Sequence, residues 1–185
     1  MTLSLGPLIV AAADPAAVER FWRTALGPDA FRDRLRIRQD REPKVVKNRV
    51  HPDLYVNEIA PLLALGATVL AEYPEWTTLA DVEGNEFCAF PSATDIDSPA
   101  RLFAVCTDSD RPEELASWWA ERVGGNLRAG PDGTLRWLYD TAGWDGVVWK
   151  FVRNSDERVA PNRWRWSVLG AGFVDPQGNE VSAAR

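Results

Sequence analysis

The feature that most constrains the fold of this chain is an internal repeat at a spacing of 97 residues. Each copy has a short apolar strand and then a helix that begins at a proline and ends before a glycine, over 15–26 and 112–123. Two later patterns recur in the same order. These are Asn48-Arg49-Val50-His51 with Asn162-Arg163-Trp164-Arg165, and Asp81–Glu86 with Asp175–Glu180. The repeats predict a duplicated chain, because three echoes in one order rarely arise by chance.

The two copies differ in length. Asn48 to Glu86 spans 38 residues, whereas Asn162 to Glu180 spans 18. The second copy therefore lacks the counterpart of a helix and strand predicted over 57–76, and it carries instead a longer strand pair over 126–139 and 147–153. A stretch of Ser, Asp and Thr over 91–99 predicts a linker between the two halves.

Composition excludes several classes of protein. The net charge of −6 excludes a general nucleic-acid binder, because phosphate backbones need a basic surface. Membrane spans are also excluded, since no apolar run approaches the roughly 20 residues that one needs. Cys88 and Cys106 lie in apolar runs and are too few for a disulfide scaffold. We therefore expect buried thiols and a cytoplasmic location.

Tryptophan is unevenly distributed, with seven of nine at or beyond Trp118. Those on helical apolar stripes are predicted to be core residues. The later ones leave two interpretations open. They replace the bulk of the missing helix, or they line a pocket for a flat or cationic ligand. The candidates for this pocket are Trp137, Trp149, Trp164 and Trp166.

The motifs of the first copy resemble those of a known superfamily. They are Lys47-Asn48-Arg49-Val50-His51, Leu65–Leu70, Trp76 and Asp81–Phe90. They are similar to the glyoxalase-like branch of the vicinal oxygen chelate superfamily, which includes glyoxalase I, bleomycin-resistance proteins, fosfomycin-resistance proteins and extradiol dioxygenases. The resemblance covers 8–90 well and 101–183 more weakly.

This resemblance implies an α+β fold in which tandem βαβββ modules form cup-shaped mixed sheets. Residues 1–92 would hold the first glyoxalase-like module pair, and 99–185 a second, shortened pair. Two pairs in one chain imply an internal pseudo-dimer, so we expect a monomer or a weak homodimer.

The resemblance also implies where a metal would bind. Family members take metal ligands from facing strands, and His51 and Glu86 match these positions as candidate metal ligands or catalytic residues. A divalent Zn, Fe, Mn or Ni ion would suit them, although no cofactor is certain. The alternative is that both are hydrogen-bonded polar residues of the cup wall.

Two departures from the family pattern weigh against a metal. A catalytic metal normally has three protein ligands, but the strand Leu8–Ala12, expected to face the site, offers none. In the second copy Arg165 stands in place of His51, and we expect it to pair with Glu180.

Three functions remain open. The preferred one is the binding of a small organic ligand in a sheet-lined cup, as in bleomycin-resistance proteins. The first alternative is a metal-dependent lyase, isomerase or dioxygenase that uses His51 and Glu86. The second is a structural or regulatory domain whose cup is filled by its own side chains. The candidate ligand contacts are Arg49, Asp53, Trp76, Trp137, Trp149, Trp164, Arg165, Trp166 and Glu180.

Overall fold

The computed structural model describes residues 2–184, and these residues form four helices. They are α1 (Pro15–Leu26), α2 (Pro28–Arg34), α3 (Ala60–Ala64) and α4 (Pro112–Val123). The predicted helices of the repeat are thus confirmed as α1 and α4. Among the described residues, none of the helices has the length and apolar character that crossing a membrane requires.

An eight-stranded sheet dominates the fold, with four strands from each half of the chain. In spatial order its strands are β4 (Thr68–Glu72), β5 (Thr77–Ala80), β6 (Glu86–Pro91), β3 (Val50–Val56), β7 (Arg101–Ser109), β10 (Val148–Arg153), β9 (Leu135–Tyr139) and β8 (Asn126–Ala129). The antiparallel pair β3 and β7 joins the two halves at its centre.

Two three-stranded sheets complete the fold. The first has the order β11 (Trp164–Arg165), β1 (Leu8–Ala12) and β2 (Leu35–Gln39), and the second has the order β12 (Ser167–Val168), β14 (Glu180–Ala183) and β13 (Phe173–Val174). The antiparallel pair β1 and β11 again joins the two halves.

The strands group into four modules in which the last strand pairs in parallel with the first, or with β12 in the fourth module, which begins with β11. Two modules are complete, β3-α3-β4-β5-β6 and β7-α4-β8-β9-β10, and they lie side by side in the large sheet. The other two are short. Between β11 and β14 the fourth module has no helix, as the shorter second copy predicts. The first module is also short, because α2 follows α1 where a complete module has two strands.

This arrangement corrects one expectation. Leu8–Ala12 was expected to face His51, but the strand beside β3 is β7, and β1 belongs to another sheet. In the large sheet the two complete modules pair with each other, through β3 and β7. The order of the modules along the chain does not predict this pairing. The open side of the large sheet therefore combines side chains from both halves.

Helix α1 packs against both the large sheet and β11. The ring of Trp22 lies 5.3 Å from that of Phe87 on β6 and 5.2 Å from that of Trp164 on β11. Helix α4 packs in the same way through Trp119, 4.6 Å from Trp149 on β10. These rings are almost completely buried, and each contributes roughly 1.5–3 kcal/mol or more by leaving water.

The repeated Gly-Asn-Glu turn ties each helix to the following module. Trp22 Nε1 donates to Asp81 Oδ2 at 3.0 Å, and the amide of Asn85 donates to the same carboxylate. In the second half Trp119 Nε1 donates to Asp175 Oδ2 at 3.3 Å. Gly84 at the first turn has a φ of +78°, a conformation that favours glycine. The signature found in the sequence therefore has a structural role in both copies.

Candidate functional site

A row of polar side chains crosses the large sheet where the two complete modules meet. Side chains alternate along a strand, so Lys150 points away from Trp149 and Phe151, which pack beneath the helices. We call the side of the large sheet that carries Lys150 the open face. Strand pairing places His51 opposite Cys106, and Cys106 next to Lys150.

The adjacent row on the same face includes Asp53 and Cys88, which are neighbours on β3 and β6. We call the five side chains the central cluster: His51, Asp53, Cys88, Cys106 and Lys150. The sheet register alone brings them together, since they come from four strands of both halves.

Asp53 is the centre of this cluster and is only 2% exposed. Lys150 Nζ lies 2.8 Å from its Oδ2 atom, to which the Cys106 thiol also donates at 3.2 Å. His51 Nε2 is 3.8 Å from Oδ1. A buried carboxylate needs a partner of opposite charge, and Lys150 supplies it.

Burial sets the protonation of the other members. It lowers the pKa of His51, although Asp53 opposes the shift, so the imidazole is neutral at pH 7. Burial, with the charge of Asp53, raises the pKa of Cys88 to about 12 and that of Cys106 well above its ordinary value. For Lys150, burial has the largest effect and acts to lower the pKa, but the charge and hydrogen bond of Asp53, together with Cys106 and Tyr55, outweigh it and the net pKa is raised. The cluster thus holds one ammonium, one carboxylate, two thiols and a neutral imidazole.

Aromatic rings surround the ammonium on the open face. Lys150 Nζ lies 4.6 Å from the ring centroid of Phe103, and 5.2 Å from those of both Phe90 and Trp137. Each distance is within the range of a cation–π contact. Further rings stack on these, with Tyr55 on Phe103 at 3.9 Å and Trp76 on Phe90 at 5.7 Å. The aromatic wall consists of partly exposed rings: Tyr55, Tyr73, Trp76, Phe90, Phe103 and Trp137.

Residues 8–90 match the family model described as a glyoxalase-like domain. A search of curated protein sequences finds no significant match.

Solved structures show that the glyoxalase fold extends over the whole chain. Glyoxalase I from Zea mays is 13% identical, with a TM-score of 0.62, over 97% of this chain and 91% of that one. A variant of the same enzyme gives a TM-score of 0.64. A candidate dioxygenase from Bacillus subtilis is 10% identical, with a TM-score of 0.55, over 96% of this chain and 72% of that one. The resemblance to the vicinal oxygen chelate superfamily and the predicted fold class are confirmed.

Residues 8–90 contain one group of side chains that could bind a metal. Donor atoms of His51, Asp53 and Cys88 all lie within 4.8 Å of one another. Asp53 Oδ1 and His51 Nδ1 are buried and have no hydrogen-bond partner. These three side chains could therefore hold a divalent metal of the zinc type. Lys150 acts against this, because its ammonium already neutralises Asp53 and repels a second cation.

Glu86 lies outside this group and is held by other contacts. Lys44 Nζ lies 2.7 Å from its carboxylate, which also accepts the backbone N–H of Asn48 at 3.1 Å. In the second half Glu180 likewise accepts the backbone N–H of Asn162, at 3.2 Å. The repetition indicates that this glutamate anchors the start of each module's first strand. Catalysis or metal binding by Glu86 stays a prediction, and it would require these contacts to break.

The expected pair of Arg165 with Glu180 is not the contact that the structure shows. Glu180 lies 3.9 Å from the guanidinium of Arg158, while Arg165 donates to the carbonyl of Asn162 at 2.8 Å. Arg165 and Arg49 both line a cavity between the connecting segments 40–49 and 154–165. They lie outside the central cluster.

The predicted ligand-binding tryptophans divide into two groups. Trp149, Trp164 and Trp166 are at most 4% exposed and pack in the core. They fill the volume of the shortened copy and do not line the open face, which is the first of the two interpretations. Trp76 and Trp137 are partly exposed members of the aromatic wall.

Lys150 and both thiols are members of the cluster that the sequence did not predict. Lys150 is the one charge in the apolar run Val147–Val152. A lone lysine at the centre of a buried strand needs a partner, and this was the available signal. The identity of that partner depends on a pairing between distant strands and could not be read from the chain.

Proposed function

We propose that the open face binds a small flat organic molecule against the aromatic wall. The observation that supports this is the surrounding of one ammonium by partly exposed rings on the side of the sheet without helices. A flat ring would stack on Trp76 or Trp137. A carbonyl or carboxylate on the same molecule would accept a hydrogen bond from Lys150.

The Lys150–Asp53 pair supports binding without a metal. The ammonium of Lys150 lies 2.8 Å from Asp53, which is one of the three candidate metal donors. It can therefore supply a positive charge to a bound oxygen atom without a bound cation. This is the function preferred from the sequence, and the position of Lys150 beside Asp53 and the aromatic wall supports it.

The proposal is tested by calorimetric titration with benzoate, salicylate and 2-naphthoate, with cyclohexanecarboxylate as the non-aromatic control. We expect the aromatic acids to bind more tightly than the control. Trp137→Leu should weaken their binding about three- to tenfold, because one stacking contact is lost. Trp118→Leu is the matched variant, since Trp118 is partly buried on the helix side. Equal losses in both variants, or no binding by any compound, would refute the proposal.

A metal-dependent lyase, isomerase or dioxygenase is the second candidate. It is favoured by the grouping of His51, Asp53 and Cys88 and by the unpartnered atoms Asp53 Oδ1 and His51 Nδ1. A metal held there would polarise adjacent oxygen atoms of a substrate.

Elemental analysis of the purified protein separates the two candidates. The metal-dependent candidate requires one ion per chain, which His51→Ala should remove and Glu86→Gln should retain. Loss of the ion in Glu86→Gln would instead support Glu86 as the predicted ligand. A chain that stays free of metal after incubation with Zn, Fe, Mn and Ni would eliminate this candidate.

A further inference from the structure

A second concave region lies where the large sheet meets the sheet of β11, β1 and β2, away from the aromatic wall. It is a cavity of about 410 Å³ between the connecting segments 40–49 and 154–165. The two segments occupy equivalent places, since one joins β2 to β3 and the other joins β10 to β11. The volume lies in the range of small-molecule sites.

Two arginines on the walls of this cavity have side-chain donors without a hydrogen-bond acceptor. The Nε atoms of Arg49 and Arg158 are buried and have no acceptor. Arg49 uses one terminal nitrogen on the carbonyl of Asp156, at 2.7 Å. Arg158 uses its terminal nitrogens on Asn162 and Asn179. A buried donor without an acceptor costs free energy, so a movement of either side chain that brings its Nε atom to an added acceptor would be favourable.

The two guanidinium groups also lie close enough to repel each other. Burial and the neighbouring charge of Arg49 lower the pKa of Arg158. Glu180, 3.9 Å from Arg158, compensates only in part. An anion between the two arginines would relieve this repulsion.

The acidic residues of the cavity do not neutralise this pair. Asp108 is already bound by Lys47 at 2.6 Å and by Asn154 at 2.8 Å. Asp40 is bound by Arg38 at 3.3 Å. The other carboxylates on the lining are exposed to solvent, where their charge is screened: Glu42, Asp156 and Glu157.

Apolar side chains make up much of the remaining wall. Val45 and Val159 are 71% and 64% exposed, and Val46, Pro43 and Pro161 lie on the same lining. Apolar side chains beside unsatisfied cationic donors fit a ligand with an apolar body and an anionic head.

We propose that this cavity binds a small organic anion. Its carboxylate or phosphate head would accept hydrogen bonds from Arg49 and Arg158, and its apolar body would pack on Val45 and Val159. The proposal does not depend on the function proposed for the open face.

Calorimetric titration with hexanoate, hexyl phosphate and hexylammonium tests the proposal. At least one of the two anions should bind, and the stronger one identifies the head group, whereas the ammonium should not bind. Arg49→Gln should weaken anion binding about tenfold or more, because a charge-assisted contact is lost. Arg20→Gln removes the same charge from an exposed helical position and is the control.

A second variant does not depend on a residue with internal contacts. Val159→Glu adds a negative charge at an exposed position of the wall and should also weaken anion binding while the protein stays folded. Trp137→Leu should leave it unchanged. The proposal is wrong if neither anion binds, if both Arg49→Gln and Val159→Glu bind normally, or if only Trp137→Leu loses binding.

Discussion

At the scale of single residues, Lys150 and Asp53 are the most tightly coupled pair of the site. Their side chains are 13% and 3% exposed and 2.8 Å apart. Removing one member of such a pair leaves the other charge buried without compensation. The pair therefore matters to stability as well as to the proposed ligand.

Lys150→Met should lower the free energy of unfolding by about 3–5 kcal/mol, as is usual when one partner of a buried ion pair is removed. Urea denaturation measures this. Arg23→Met breaks the exposed pair with Glu19 and should cost less than about 1 kcal/mol. Adding Asp53→Asn to Lys150→Met should recover part of the loss. A loss no larger than that of the control would show that the buried pair contributes little.

His51 gives a pH dependence that can be assigned, because it is the only histidine. Its pKa in the folded protein is lowered, so the unfolded chain takes up the proton first as the pH falls. The free energy of unfolding should therefore decrease below about pH 6.5, towards the pKa of the folded state. Urea denaturation of chelator-treated protein between pH 5 and 8 measures this decrease in the free energy of unfolding. His51→Gln should remove the slope, and an unchanged slope would contradict the assignment.

At the scale of elements, the repeated turn explains why the same motif occurs twice. Each aspartate of the turn accepts an indole N–H from a helix of the preceding module, at 3.0 Å in the first half and 3.3 Å in the second. The helix and the turn were both predicted from sequence, because capping, periodicity and glycine are local signals. Their contact was not predicted, since it joins residues 59 and 56 positions apart.

Trp22→Phe and Trp119→Phe should each destabilise the protein by about 1–3 kcal/mol more than Trp118→Phe. The first two remove a donor from a buried carboxylate, whereas Trp118 contacts Arg122 near the surface. Thermal or urea unfolding of the three variants provides the comparison. Similar losses in all three would show that the rings stabilise by packing alone.

The candidate site was harder to predict than the elements for a physical reason. The sequence predicts that His51 and Asp53 share one face of a strand, and both lie on the same face of β3 in the structure. Their neighbours Cys106 and Lys150 come from the other half of the chain. Which strand pairs with β3 depends on the packing of whole modules, and no local pattern encodes that.

At the scale of the whole molecule, the two halves interlock instead of lying beside each other as separate units. The central pair of the large sheet and the pair β1 and β11 each take one strand from each half. The boundaries 1–92 and 99–185 remain a prediction about duplicated sequence, and a pseudo-dimer within one chain is compatible with these pairings.

Residues 1–95 and 96–185, expressed separately, should each fail to give a cooperative unfolding transition. Each fragment would expose a sheet edge that the other half covers in the whole chain. Mixing the two should restore the circular dichroism spectrum of the intact protein. A fragment that unfolds cooperatively on its own would show that its half is an independent domain.

The indole rings packed in the core have an optical consequence. Trp119, Trp149, Trp166 and Trp144 form an unbroken series with centroid distances of 4.6, 4.4 and 4.7 Å. At such separations excitation energy passes between rings, and their electronic transitions couple. Intrinsic emission should therefore be blue-shifted and should report the integrity of the core as one signal. A ligand on the open face would perturb only the minor contribution of Trp76 and Trp137, which makes these two positions the natural sites for a spectroscopic label.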